Sequence, residues 1–222
     1  MNRFINAVLL FVLLPTMGLT IIVGFDMPIE FLKTTGQYMP YKFEAFLVLG
    51  LLIAIINIRR SVRRWTGMIL ANKVQKFVWN VEVSRERVKR VLVYNFMEGL
   101  VLLFVGLTLY YVAHEAFIPA IGFAFSAADN FIFSIIGYAK KSWRVGITKK
   151  AVVHADRDVN VLYFKGLRKV ETHQESIFFT YQNDLNLFFP SDCLSKENEL
   201  LFFNHLKEQV DINKVFFVNS KK

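Results

Sequence analysis

The feature that most constrains the fold is an apolar hairpin within residues 84–141. Its two apolar runs, residues 91–113 and 117–139, are joined by only three residues, and basic residues stand at both outer ends. Each run is long enough to cross the hydrocarbon core of a bilayer, which takes about 20 residues of helix. The sequence therefore predicts two antiparallel membrane-spanning helices connected by a tight turn.

Two earlier apolar segments predict two further spans. Residues 4–25 carry no charge, and residues 43–58 are apolar apart from Glu44. A retained helix explains residues 4–25 better than a cleaved signal peptide, because the run exceeds the usual apolar length of about 7–15 residues and no small-residue cleavage motif follows it. The second segment is short for a span, so we expect Glu44 to extend outward if this helix crosses the membrane fully.

The distribution of charge predicts the orientation. The net charge is +9, and residues 59–90 hold ten Lys and Arg against two acids, whereas residues 26–42 are balanced. Because Lys and Arg are enriched in cytoplasmic loops, residues 59–90 are predicted to form a basic cytoplasmic loop, with both chain termini cytoplasmic. We expect a multi-pass protein of the bacterial inner (cytoplasmic) membrane.

The basic residues also indicate a class of partner. They adjoin apolar spans, which favours anionic lipid headgroups over nucleic acid. We expect headgroup contacts from five residues at the predicted exit of the second span: Arg59, Arg60, Arg63, Arg64 and Trp65. The alternatives are a solvated connector whose arginines only set the topology, and headgroup binding by basic residues further on, which are Lys149, Lys150, Lys165, Arg168 and Lys169.

The residues after 140 change to the period of β-strands. Strand patterns occur at residues 145–148, 151–153, 159–164, 167–172, 176–182 and 185–189, with a hairpin turn at Asn183 and Asp184. Ser195 is a plausible N-cap for a helix over residues 196–210, and residues 77–83 and Ser84 form a similar strand and cap before the hairpin. The predicted fold class is α+β: four transmembrane helices plus a small C-terminal antiparallel β-module, residues 140–222, capped by one helix.

Three stretches of this module carry a family resemblance. They are YFKGLRKVE at residues 163–171, IFFTY at 177–181 and LFFP at 187–190. With the helix that follows, they resemble bacterial pleckstrin-homology-like (PH-like) domains, and most closely the YcxB-like group, in which a membrane hairpin precedes such a domain. The resemblance covers residues 75–210. It implies a PH-like fold and a membrane location, but no biochemical activity and no site residues.

The chain departs from that group in two places. Residues 1–58 add a pair of predicted spans, and Ser191 and Asp192 follow Pro190 where the group tends to carry a basic residue.

Two acids lie inside the apolar hairpin. Glu98 is followed in the second run by Asp129, with Asn95 one turn from the first acid and Asn130 beside the second. An ionised side chain at the centre of a membrane helix costs about 2.5–3.5 kcal/mol, so we expect the acids to face the helix bundle and to pair with each other or with the asparagines. They form either a polar clasp that locks the third and fourth helices together, with one acid neutral, or a functional site. The functional site would be a proton- or cation-responsive site or a polar socket for the transmembrane helix of a partner.

Motifs for catalysis are absent from the sequence. A single cysteine, Cys193, excludes an intrachain disulfide and a cysteine-based metal site. The four histidines lack metal-binding spacing, and no phosphate-binding loop or nucleophile motif occurs. We therefore expect no catalytic residues, no metal and no cofactor.

The predicted function is that of a non-enzymatic membrane scaffold or accessory subunit that presents the PH-like module to a protein partner or to the membrane surface. Its expected partners are a bilayer with anionic headgroups and either a protein partner or a second copy of the chain, without nucleic acid. The alternative is a small transport or proton-coupled membrane component that uses Glu98 and Asp129.

Overall fold

The computed structural model describes residues 2–182, 185–211 and 213–219. The protein is α+β and divides into two compact units, the first within residues 1–62 and 95–133 and the second within residues 63–94 and 134–222. Four helices of the described chain are long and apolar enough to cross a membrane.

Each of these four helices covers one predicted span to within a residue, and two of them extend further. The four helices are α1 (Asn2–Gly24), α2 (Lys42–Ala71), α3 (Arg85–Val112) and α4 (Phe117–Ala139). The predicted second span, residues 43–58, lies within α2, which continues as a helix through the first part of the predicted basic loop. Charge marks where a helix leaves an apolar environment, but residues 59–71 contain no proline and mostly good helix formers, so the backbone hydrogen bonding continues.

In the first unit, large buried side chains are combined with close helix contacts. Phe46, Ile53 and Phe123 are fully buried. A side chain at Gly50 would place its Cβ 2.6 Å from Ile118 Cγ2, so glycine is required where α2 approaches α4. Small residues at such crossings let helix backbones approach closely, as in membrane helix pairs.

Polar segments connect α1 to α2 and α3 to α4. The link after α1 forms a two-stranded antiparallel sheet of β1 (Pro28–Ile29) and β2 (Thr34–Thr35). The predicted tight turn between α3 and α4 is confirmed as a single 3₁₀ turn, His114–Ala116. Lys42 Nζ lies 2.5 Å from Glu115 Oε1, so the start of α2 is joined to this turn.

The second unit contains two four-stranded sheets and one helix. The first sheet has the order β3 (Trp79–Glu82), β4 (Arg144–Ile147), β5 (Ala151–Ala155) and β6 (Val159–Tyr163). The second has the order β10 (Phe216–Asn219), β7 (Leu167–His173), β8 (Ser176–Tyr181) and β9 (Asn186–Pro190). Helix α5 (Lys196–Gln209) follows β9.

Two pairings correct the prediction of a wholly C-terminal, wholly antiparallel module. Strand β3, which precedes the helical hairpin, pairs with β4, which follows it. Strand β10 pairs with β7 in parallel, whereas the other pairs of both sheets are antiparallel. The predicted turn at residues 183 and 184 lies outside the described residues.

Helix α5 packs through a face that matches the predicted one only in part. The helical spacing predicts an inner face of Leu200, Phe203, Leu206 and Val210. The Ser195 cap is confirmed, since its Oγ accepts a hydrogen bond from Asn198 N at 3.3 Å. Phe202 and Leu206 are fully buried, whereas Leu200, an expected core residue, is 69% exposed. The run Leu-Leu-Phe-Phe offers two overlapping apolar faces, and the larger Phe202 ring is taken inward, where it contacts Trp79 at 5.9 Å between ring centroids.

Candidate functional site

The two predicted intramembrane acids lie in the first unit, where both have partners on α2. Glu98 forms an ion pair with Arg60, and these side chains are only 22% and 15% exposed. Asp129 Oδ1 accepts a hydrogen bond from Ser61 Oγ at 2.9 Å. These partners were not anticipated from the sequence, which suggested that the acids pair with each other or with asparagines. These contacts join α2 to α3 and α2 to α4, whereas the clasp interpretation expects the two acids to lock α3 to α4.

The amides near these acids are buried. Asn95 is fully buried, and neither of its amide atoms has a hydrogen-bond partner in the part of the chain that the structure describes. Asn130 is 1% exposed. Asn57 was missed because an uncharged amide does not interrupt an apolar run, yet it is 3% exposed and its Nδ2 donates to Gly122 O at 3.1 Å. This amide therefore adds a second link between α2 and α4.

The arginines predicted to contact lipid headgroups face protein at three of four positions. Besides Arg60, Arg63 Nη2 donates to Val159 O at 3.0 Å, and Arg64 is only 3% exposed. Arg59 is exposed and Trp65 is half-buried. Because α2 is a continuous helix here, successive arginines point in different directions. Headgroup contact stays a prediction for all five residues, of which Arg59 is the most exposed.

A cluster that was not predicted lies inside the second unit. His154 Nε2 is 3.1 Å from Cys193 Sγ and 3.3 Å from Asp156 Oδ2. The three residues are 1%, 0% and 3% exposed, respectively. His154 and Cys193 are 39 residues apart, so no spacing motif could reveal the cluster. The interpretation of Cys193 as a small buried apolar residue accounts for its burial but not for these polar contacts.

Arg87, at the start of α3, completes this cluster. Its Nε and Nη2 donate to Asp156 Oδ2 at 2.8 and 2.7 Å. Asp156 Oδ1 also accepts from Asp158 N at 3.2 Å. The carboxylate of a nearly inaccessible aspartate thus receives both guanidinium and backbone hydrogen bonds, which is how buried charges are stabilised in proteins.

A second set of bonds ties the same helix end to the connection between β9 and α5. Asp192 Oδ2 is 2.8 Å from Arg90 Nη1, and its backbone carbonyl accepts from Ser84 Oγ at 2.5 Å. The backbone N–H of Ser84 donates to Cys193 O at 2.9 Å. Ser84 Oγ also accepts a hydrogen bond from Arg87 N at 3.2 Å, so Ser84 caps α3, as predicted, and also anchors its first turn.

The electrostatics of the cluster follow from burial and charge. Burial lowers the pKa of His154, but the neighbouring Asp156 and Cys193 outweigh it and raise that pKa well above 6.5. Burial raises the pKa of Asp156, but His154 and Arg87 outweigh it and hold that pKa well below 3.8. Burial raises the pKa of the Cys193 thiol. At neutral pH the cluster thus contains a carboxylate, an imidazolium, a guanidinium and a neutral thiol.

This arrangement determines what the cluster can do chemically. The ligand atoms of His154, Asp156 and Cys193 lie within 4.8 Å of one another, and all three residue types bind zinc. However, a metal would compete with the guanidinium of Arg87 for Asp156 and with the proton on His154. A nucleophilic cysteine needs a thiolate and access to substrate, whereas this thiol is inaccessible and its pKa is raised. The cluster is best explained as a set of buried polar contacts that stabilises the second unit.

No family model, curated protein or solved structure matches the chain. Function therefore has to follow from the chemistry of the described residues.

Proposed function

We propose that this chain is a non-enzymatic integral protein of the bacterial inner membrane. It acts as a scaffold or accessory subunit that holds its second unit, as a PH-like module, at the cytoplasmic face for a protein partner. The observation that carries this proposal is the apolar outer surface of the four long helices. Large apolar side chains are exposed along each of them, among them Phe11, Leu14, Ile55, Phe104, Ile121 and Ile135.

Such a surface fits a bilayer far better than water. Soluble monomers rarely expose contiguous apolar patches larger than a few hundred Å², and burying apolar surface contributes about 25 cal/mol per Å². In the hydrocarbon of a bilayer these side chains are removed from water, so the free-energy cost of exposing them to water disappears. The excess of Lys and Arg in residues 59–90 over residues 26–42 supports a cytoplasmic position for the second unit.

The surface of the second unit supports a role in protein binding. Phe188 on β9 and Val218 on β10 are exposed, and Phe178 on β8 lies beside Phe188 with ring centroids 5.3 Å apart. The pairing of Phe178 with Phe188 and of Val218 with Glu171 puts these residues in one row across one face of the second sheet. Exposed aromatic residues on a rigid surface are typical of protein interfaces. The side chains of His154, Asp156 and Cys193, by contrast, are buried.

The membrane location is testable with single cysteines. In a Cys193→Ala background, Gln37→Cys places a thiol in the link after α1, and Lys207→Cys places one on the exposed side of α5. A membrane-impermeant maleimide should label Gln37→Cys in intact spheroplasts and Lys207→Cys only in inverted vesicles. Lysed membranes provide the control, in which both are labelled. Extraction of the chain by carbonate, or equal labelling of both sites in spheroplasts, would contradict the proposal.

The scaffold role is testable by site-specific photo-crosslinking in cells. A photoreactive phenylalanine analogue at Phe188 should give a discrete adduct with one protein. The same analogue at exposed Lys149, on the connection between β4 and β5, is the matched control and should not give that adduct. Identical adducts from both positions, or none from Phe188, would count against binding at this sheet face.

A further inference from the structure

We propose that the second unit binds the phosphate of an anionic phospholipid in a cavity between the start of α3 and the end of α4. The cavity measures about 730 Å³, within the range of about 300–1,000 Å³ that is usual for small-molecule sites. The proposal rests on the membrane location proposed above, and it assigns lipid contact to residues other than those that the sequence indicated.

The inner wall of the cavity is apolar and already formed. Val83 and Trp143 are almost fully buried, and Val88 and Leu92 lie one turn apart on α3 with half-buried side chains. Gly137 allows this arrangement, because a Cβ there would lie 2.4 Å from the Trp143 ring. The backbone of α4 therefore lies directly against the indole. A wall of this kind accepts acyl carbons.

The rim of the cavity is basic. Arg85 and Lys89 lie one turn apart on α3 and are exposed, and the Lys141 side chain, just after α4, is 74% exposed. Among the described lining residues the one acid is Glu82, which is 3.9 Å from Lys141 Nζ and 3.8 Å from Arg144 Nη1. Three cations against one acid leave a net positive site, which is complementary to a phosphate.

The position of the cavity favours a lipid over a soluble phosphate. Its basic residues stand where the apolar runs of α3 and α4 end, which in the proposed orientation is the cytoplasmic boundary of the hydrocarbon. Tyr138, which also lines the cavity, is 61% exposed at that level, as aromatic residues at membrane interfaces are. Basic cavities between helices on this side of a membrane are suited to anionic headgroups.

The experiment compares two triple variants of the full chain, purified in a neutral detergent. Arg85→Gln/Lys89→Gln/Lys141→Gln removes the rim cations. Lys196→Gln/Lys207→Gln/Lys214→Gln removes the same charge from exposed positions of the second unit outside the cavity, and is the matched control. Native mass spectrometry then measures binding of phosphatidylglycerol, with phosphatidylcholine and inorganic phosphate as the alternative ligands.

We expect phosphatidylglycerol to bind the unmodified chain more tightly than phosphatidylcholine and to resist competition by inorganic phosphate. The rim variant should lose affinity on the order of 100-fold, since each interfacial Lys or Arg contributes about fivefold. The control variant should change little. Leu92→Phe, which fills the apolar wall without altering charge, should also weaken binding. Slow labelling of Cys193 in each variant shows that the second unit is still folded.

Equal losses in the rim and control variants would overturn the proposal, because the attraction would then be due to overall charge. Effective competition by inorganic phosphate would overturn it in favour of a soluble ligand. Either result is compatible with normal labelling of Gln37→Cys and Lys207→Cys, so failure of the lipid site is distinguishable from failure of the membrane location.

Discussion

Replacing Arg87 with glutamine should loosen the second unit, because Asp156 would keep its charge and lose two of its hydrogen bonds. Arg87 donates two hydrogen bonds to this carboxylate, at 2.8 and 2.7 Å, and the Asp156 side chain is only 2% exposed. A hydrogen bond to a charged group contributes about 1.5–3 kcal/mol, and removing one member of a buried ion pair costs about 3–5 kcal/mol. The two estimates agree on a loss of about 3–5 kcal/mol.

Cys193 provides a direct assay for this loss. It is the only cysteine in the sequence and is fully buried in this unit, so a thiol reagent reaches it only when the unit opens. Since about 1.4 kcal/mol corresponds to a tenfold change in an equilibrium, Arg87→Gln should accelerate labelling by about 100-fold to several thousandfold. The measurement does not require the helices of the first unit to unfold.

The matched control is Arg90→Gln, on the same turn of α3. The Arg90 side chain is 54% exposed where it pairs with Asp192, and exposed ion pairs contribute about 0–1 kcal/mol, so labelling should accelerate less than about tenfold. The double variant Arg87→Gln/Asp156→Asn removes the Asp156 charge together with its guanidinium partner. It should destabilise the second unit by less than the sum of the two single variants. If Arg87→Gln labels no faster than Arg90→Gln, or if the double variant is additive, Arg87 does not hold Asp156 as described.

Two further predictions concern pH and the first unit. The pKa of His154 is raised above 6.5 in the folded state, so the contribution of His154 to stability is complete below pH 6.5 and is lost as pH rises through the folded pKa. The pKa of Asp156 is lowered in the folded state, so the contribution of Asp156 to stability is complete above pH 3.8 and is lost as pH falls through the folded pKa. Thermal melting should therefore show a loss of stability above pH 6.5 that His154→Gln diminishes, and an unchanged loss in that variant would refute the assignment. In the first unit, Arg60→Gln removes the cation that pairs with Glu98 and should destabilise the detergent-purified protein by up to about 3 kcal/mol, which lowers its melting temperature. The double variant Arg60→Gln/Glu98→Gln should recover part of this loss. If Glu98→Gln instead abolishes cellular function without changing the melting temperature, the proton-responsive alternative gains over the clasp.

Local patterns made most helices and strands predictable. The apolar runs of α1, α3 and α4 are bounded by charges or turns. Strands β4 to β9 have strand-like apolar patterns and are separated by turn residues, so each element can be predicted from a short stretch of sequence. Strand pairing is a different matter. Trp79 of β3 pairs with Ile147 of β4 across the whole helical hairpin, and the parallel pairing of Phe216 with Lys169 follows an intervening helix. Neither partner is encoded in nearby residues.

The same distinction explains what was found and missed at the sites. Glu98 and Asp129 are conspicuous because charges are rare in apolar runs. Their contacts with Arg60 and Ser61 depend on α2 continuing as a helix beyond the apolar segment. The cluster around His154 depends on tertiary structure alone, because β5, α3 and the connection after β9 bring its members together.

The pairing of β3 with β4 has a consequence for biosynthesis. Strand β3 leaves the ribosome well before its partner, and the roughly 60 residues between them take about 3–12 s to synthesise at about 5–20 residues per second. In the proposed topology those residues form the two helices that enter the bilayer. The first sheet can therefore be completed only after both helices of the hairpin have been synthesised, and until then one edge of β3 stays unpaired.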